Sequence, residues 1–217
     1  MKRQEVLNAL KQAKENTPKR NFKQSIDLII TLKNLNLKKP DQQVDFFVDL
    51  PHPKDFPVSI CGLVGTELWE QAKESFDHAV HNDEFQSFTQ KKDVKKFADT
   101  YDFFVAQANL MSKIAQTFGR AFGPRGKMPN PKAGCVVPPN ANLQTVKERL
   151  QKVIHISVKK HLMYQTIVGK EDSDDEKIAD NIMSIYDQLM HHLPLEKNNI
   201  KESMIKLTMG KPVKIGE

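Results

Sequence analysis

Three stretches of the chain bring together residue types that could do chemistry. In Gly123–Gly134 (GPRGKMPNPKAG) prolines stiffen the backbone and glycines let it turn, so Arg125, Lys127 and Lys132 are expected to stand out toward phosphate. A structural lid over a sheet edge is the competing use of the same loop. It is not a Walker A loop: Ala121 stands where that motif needs Gly, and Met128 follows Lys127 where it needs Ser or Thr. Thr208-Met209-Gly210 joins a hydroxyl, an adaptable apolar side chain and a glycine open to close approach, a set suited to a ribose–phosphate surface. Phe22, Lys23, Ser25 and Asp27 offer a similar set, with Asp27 able to accept a hydrogen bond from a ribose hydroxyl.

Other candidates are weaker. Gly62 and Gly65 lack the spacing of a dinucleotide-binding turn. His78 and His81, and the pair His191-His192, read as helix-surface histidines, because no cluster of Cys, His and acids has metal-ligand spacing. Ser173-Asp174-Asp175-Glu176 reads as a capping box rather than acid–base machinery. No catalytic residue, metal site or cofactor is expected.

These residues need elements to position them. Residues 3–15 have the spacing of a short amphipathic helix, and Ile26–Lys33 and Val44–Leu50 alternate as half-buried strands. Val58–Val64 is apolar on both faces, as in a strand covered by helices on both sides. A helix through Leu68–Phe76, one over Asp83–Asp99, a buried strand at Tyr101–Ala106 and a helix at Asn109–Phe118 complete a doubly wound pattern. Residues 119–139 read as a long shaped loop, and Leu143–Lys152 as a helix. Alternation returns at Ile154–Val158 and Met163–Val168, then a long helix opened by Ser173–Glu176 and running through Ile178, Ile182, Ile185 and Leu189, and a last strand, Ile200–Met209. Half-buried strands at both ends with doubly buried ones between imply an insertion. The fold class expected is α/β with two domains. A split α+β domain, RRM-like or ferredoxin-like, comes from residues 1–56 and 153–217, and a doubly wound Rossmann-like α/β domain is inserted at 57–152. Two crossings between them would make a hinge.

Composition narrows the function classes. The 217 residues carry 33 Lys+Arg against 27 Asp+Glu, a net charge of +6, and the first 40 residues alone hold ten basic and three acidic residues. That end is a candidate polyanion-facing surface, with Lys33 and, at the far end, Lys206 as flanking cations. The longest apolar run, Phe103–Ala106, is far too short for a membrane span or a signal peptide. Cys61 and Cys135 lie far apart, so the chain reads as reduced and intracellular.

At these motifs the sequence resembles the L-one (universal uL-one) family of large-subunit ribosomal proteins over essentially its whole length. The resemblance rests first on Gly123–Gly134. Arg20-Asn21-Phe22, Leu50-Pro51-His52, Asp180-Asn181-Ile182 and Thr208-Met209-Gly210 stand in the same order. The N-terminal section looks archaeal rather than bacterial. The resemblance implies the inserted two-domain arrangement, with the terminal domain binding RNA through Phe22, Asp27, Thr208, Met209 and Gly210. Asp27 stands where the family commonly has Glu, one methylene longer. The partners implied are the large-subunit rRNA stalk beside the tRNA exit site, the exit-site tRNA whose release the protein assists, and its own messenger RNA, which it would repress. Arg125, Lys127 and Lys132 would add secondary RNA or tRNA contacts. The protein would be a cytoplasmic, ribosome-bound non-enzyme, monomeric off the ribosome and without a membrane partner. The rival from another class is an α/β enzyme holding a phosphate-bearing substrate through residues 123–134; a free-standing regulator of messenger RNA is a third reading.

Overall fold

A computed structural model describes residues 1–88 and 90–216. In chain order its helices and strands are α1 (Arg3–Glu15), β1 (Ser25–Leu32), β2 (Val44–Asp49), β3 (Ile60–Val64), α2 (Trp69–Ser75), β4 (His78–His81), α3 (Lys91–Thr100) and β5 (Phe103–Gln107). There follow α4 (Met111–Arg125), β6 (Val136–Val137), α5 (Leu143–Leu150), β7 (Val153–Val158), β8 (Met163–Lys170), α6 (Asp175–His192), β9 (Ile200–Leu207) and β10 (Val213–Lys214). The chain is of mixed α/β class and divides into two compact units, Met1–Phe56 with Lys152–Glu217, and Pro57–Gln151.

The first unit carries an antiparallel sheet of order β10-β9-β1-β8 and a separate antiparallel ribbon of β2 and β7. Strict alternation along β1 sends Ile26, Leu28, Ile30 and Leu32 into the core, while Ser25, Asp27, Ile29 and Thr31 stay half-buried on the opposite face. That core closes against Val6 and Leu10 of α1 and Ile178, Ile182 and Ile185 of α6, and the ribbon adds Val44, Val48 and Ile156. Arg3 reaches Asp180 (3.1 Å) and Lys14 reaches Asp175 (2.6 Å), pinning α1 along α6. The capping box expected at Ser173 does not form. Asp174 caps α6 by accepting from Glu176 N (3.1 Å), and the Ser173 hydroxyl instead accepts from Lys170 N and donates to Asp55. Gly169 lies within β8, where a Cβ would meet Ile178 Cγ1 at 2.9 Å and hold α6 off the sheet.

The second unit is a parallel sheet of order β4-β3-β5-β6 with helices on both faces. α2 covers the face of Gly62, whose missing side chain admits Phe76, and α5 packs beside α2. α3 and α4 cover the other face, burying Val94, Ala98, Ile114, Phe118 and Phe122 against Cys61, Leu63 and Phe104.

Several expectations for this unit are corrected. His78 and His81 lie on β4, not on a helix: His78 stacks on Tyr101 (5.8 Å) and His81 meets Trp69 edge-on (5.2 Å). The helix expected over Asp83–Asp99 is a 3-10 segment, Asn82–Ser87, followed by α3. Gly119–Arg125 continue α4 although Gly119, Gly123 and Pro124 are helix breakers, because Ile114, Phe118, Ala121 and Phe122 keep one apolar face in the core. The helix stops at Gly126 (φ 66°), where Gly126 N bonds to Gly123 O (3.0 Å) and Lys127 N to Phe122 O (3.0 Å), the paired bonds of a Schellman end. Val136–Val137, read as loop, pairs in parallel with β5, and β10 is too short to be legible as a strand.

Candidate nucleic-acid interface

The Thr208–Gly210 turn and the segment leading into β1 lie side by side on the first unit. Thr208 N donates to Ser25 O (3.1 Å), and Ser25 N donates to Thr208 Oγ1 (3.0 Å). Gly210 N closes the turn on Leu207 O (2.9 Å), and Met209 N donates to Gln24 Oε1 (3.1 Å). Gln24 is fully buried and is held on its other side by Glu171, whose N–H donates to Gln24 O (2.9 Å). These bonds leave the side chains of Met209 (58% exposed) and Phe22 (52% exposed) free in solvent.

Thr208 and Gly210 also hold the turn. The Thr208 hydroxyl, on an exposed residue, accepts from Ser25 N and lies 3.4 Å from Ser25 O. At Gly210 a Cβ would overlap the Thr17 hydroxyl, which donates to Ala13 O (2.7 Å). Gln24 was not legible as a site residue, because nothing in a polar residue after Lys23 marks it as buried.

Asp27 sits on the half-buried face of β1. A bulge between Ile26 and Asp27 shifts the register so that Asp27 faces Ile167 of β8 and Lys206 of β9. Gln165 Nε2 donates to Asp27 Oδ2 (3.3 Å). Burial on the sheet pushes the Asp27 carboxyl above the ordinary carboxylate range, with the Gln165 bond and the Lys206 charge opposing it. The next rows are Gln165, Ile29 and Met204, then Met163, Thr31 and Glu202. The face therefore mixes apolar and polar side chains, and Met163 and Ile167 are exposed on it.

The basic residues divide. Lys23 is paired with Asp172, whose carboxylate holds the lysine above its ordinary value. Arg3 and Lys14 are paired with α6, so part of the N-terminal charge holds the fold. Lys19, Arg20, Phe22 and Lys23 line a groove of about 500 Å³ with Glu171 and Asp172. Lys33 is exposed at the end of β1.

In the second unit the structure separates the three expected cations. Arg125 makes a two-pronged bond to Asp99, Nε to Oδ1 at 2.6 Å and Nη2 to Oδ2 at 3.2 Å. Lys127 Nζ donates to the carbonyls of Tyr101 (3.0 Å) and Asp102 (3.1 Å). Both tie the end of α4 to the α3–β5 connection, contrary to the expectation that they are displayed. Lys132 alone is exposed, at a 3-10 turn capped by Asn130.

A parallel sheet of this order offers a ligand crevice where β3 and β5 diverge at their C-terminal ends. Gln107 occupies it: its Oε1 accepts from Gly65 N (2.9 Å) and its Nε2 donates to Glu67 (2.6 Å). A buried amide and a carboxylate thus meet at that crevice.

The model of the family described as "Ribosomal protein L1p/L10e family" matches residues 10–211. The chain is 38% identical over 214 residues to the large ribosomal subunit protein uL1 of Methanobrevibacter smithii, covering 98% of this chain and 99% of that one. It is 37% identical to uL1 of Methanothermococcus thermolithotrophicus (99% and 99%) and 34% to uL1 of Thermococcus kodakarensis (98% and 97%). A match of that extent, with end-to-end relatives above 30% identity, means that this chain belongs to the ribosomal protein L1p/L10e family.

Proposed function

We propose that the chain is a structural, non-enzymatic constituent of the large ribosomal subunit, and that its first unit binds large-subunit rRNA through Phe22, Asp27 and Met209. The observation that carries this reading is the lock between the Thr208–Gly210 turn and residues 24–25, which fixes the exposed Met209 next to the segment that carries the exposed Phe22 into β1. Phe22 offers a stacking face and Met209 an adaptable one. Asp27 accepts a ribose hydroxyl, while Lys206 and Lys33 supply attraction to phosphate. Thr208, Gly210, Ser25 and Lys23 act by holding this set in place.

The same reading extends to finer partners: the rRNA stalk beside the exit site, deacylated tRNA leaving it, and the protein's own messenger RNA as a repression target. Family membership supports these partners, and a cytoplasmic, ribosome-bound location follows from them. Crosslinking of the full chain in cell extracts and sequencing of the bound RNA separates them. The binding surface is tested by titrating deproteinised large-subunit rRNA of Methanobrevibacter smithii. Phe22→Ala is expected to weaken binding roughly 5- to 100-fold, the loss of one stacked base. Unchanged affinity in Phe22→Ala and Met209→Ala, with both variants folded, overturns the assignment.

A further inference from the structure

A second concavity lies on the first unit, at the opposite end of β9 from the Thr208–Gly210 turn. It is a cleft of about 490 Å³ at the corner where α1, α6 and the start of β9 meet β10. Tyr186 of α6 and Ser203 of β9 line it, and both are more than nine-tenths buried. Neither hydroxyl has a hydrogen-bond partner among the described residues. Neither oxygen is sealed from solvent as Gln24 Nε2 is, so each keeps its bonding capacity open toward the cleft. Polar groups on buried residues are ordinarily paired, and two left free in one cleft point to a ligand.

The charges around the cleft say which ligand. Lys2, Lys197 and Lys201 line it, are exposed, and make no ion pair among the described residues. They come from three separate places: the start of α1, the 3-10 turn Glu196–Asn199, and β9. The two carboxylates at the cleft are already engaged, Glu5 accepting from Lys2 N (3.0 Å) and Glu202 from Lys214 Nζ (3.1 Å). The cations are all lysines, whose ammonium groups bind phosphate as point charges. A merely solvated basic face needs neither a cleft nor free hydroxyls below it. The volume falls within the roughly 300–1,000 Å³ of sites for compact ligands, which suits a molecule that enters rather than a strand lying across the sheet.

We infer that this cleft is a binding site for a small oligophosphate anion, free or as the tail of a nucleotide. Lys2, Lys197 and Lys201 meet its charge, and the Tyr186 and Ser203 hydroxyls donate to its oxygens. The site stands apart from the RNA reading, since Phe22, Asp27 and Met209 do not line it. Its members are drawn from residues 2 to 203, so no local motif announces it.

The test titrates the full chain calorimetrically with inorganic triphosphate and with ATP, each without divalent metal and near physiological salt. One saturable site is expected for each probe. Equal affinities assign the phosphates alone as the ligand and tighter ATP binding a nucleotide, and both uphold the site. Tyr186→Phe, which removes a hydroxyl but keeps the ring and the charge, should weaken binding about 10-fold or more, the loss of one hydrogen bond to a charged group. The double variant Lys197→Gln, Lys201→Gln should also weaken it. The double variant Lys19→Gln, Arg20→Gln, which removes the same charge from the groove beside Phe22, should leave it unchanged. If neither probe saturates a single site, or if Tyr186→Phe binds as tightly as wild type, the inference fails. Equal losses in the two charge variants reduce the binding to the net charge of a basic chain and overturn it as well. Affinity for large-subunit rRNA should be the same in Tyr186→Phe and wild type; a loss there makes the cleft part of the RNA surface and overturns a separate small ligand. Failure of Phe22→Ala to weaken rRNA binding counts against the first-unit reading alone.

Discussion

At Gly210 the protein's own packing already demands glycine. The turn must approach the last turn of α1 closely enough to lie over the Thr17 hydroxyl, and any Cβ collides with it. Gly210→Ala is therefore expected to cost about 1–3 kcal/mol of stability, the usual range for overpacking a filled site. In a Thr17→Ala background, which removes the obstructing oxygen, the cost should shrink. A double-mutant cycle by urea unfolding measures this, and equal costs in the two backgrounds rule the clash out. The residue types at this site were legible in the sequence, but their division of labour was not. Phe22 and Met209 are exposed and Asp27 is half-buried, while Thr208, Gly210 and Lys23 also make contacts within the protein. Residue type says which bonds a side chain can make; only the neighbours brought by the fold say which it does make. Gln24 and Gln165 belong to the site through such neighbours alone, across 185 and 138 positions of chain.

Among the elements, those with a long regular pattern were readable and those decided by tertiary packing were not. β1, β7, α1 and α6 follow their periodicity, while the last two turns of α4 persist against Gly119, Gly123 and Pro124 because four apolar residues hold the helix to the sheet. β6 and β10, at two residues each, carry no periodicity to read. The β2–β7 ribbon gives a prediction at this scale. Asp45 bonds His155 Nε2 (2.6 Å) and Lys159 Nζ (2.6 Å), and Phe47 stacks on the same histidine (4.5 Å). Burial pushes the Asp45 carboxyl up, but the bonds from Lys159 and His155 outweigh it and hold the carboxyl below the ordinary range. A lowered carboxylate stabilises the fold above its unfolded value, near 3.8, and that contribution is lost as pH falls through the folded value. Asp45→Asn should thus lower stability at pH 7 by under about 1 kcal/mol, since the group is well exposed. The gap from wild type should narrow on acidification to about pH 3, as the pH falls toward and through the folded value. Urea midpoints at the two pH values report it; a gap independent of pH assigns the effect to packing.

For the whole molecule, each unit closes its own core. The first draws Ile26 and Leu28 from one end of the chain and Ile182 and Ile205 from the other, and the second is built from Cys61 through Phe122 without them. The arrangement of half-buried strands at both ends around doubly buried ones follows from this: a sheet with helices on one face alternates, and a parallel sheet with helices on both does not. Leu50 N donates to Lys152 O (2.9 Å), so the two ends of the first unit meet where the insertion leaves and returns. Replacing residues 57–151 by a short Gly/Ser linker should therefore leave a folded first unit that still binds large-subunit rRNA, because Phe22, Asp27 and Met209 keep all their supports. Its salt dependence should be shallower than that of the full chain if the cations of the inserted unit also meet phosphate. The excised 57–151 segment should fold on its own sheet and bind rRNA only weakly, since it loses the tether that concentrates RNA beside it. Parallel titrations of the three proteins over a salt series measure both effects. A folded first unit that fails to bind would move recognition into the inserted unit, and a full-chain slope equal to that of the first unit would leave the cations of the inserted unit without an RNA role.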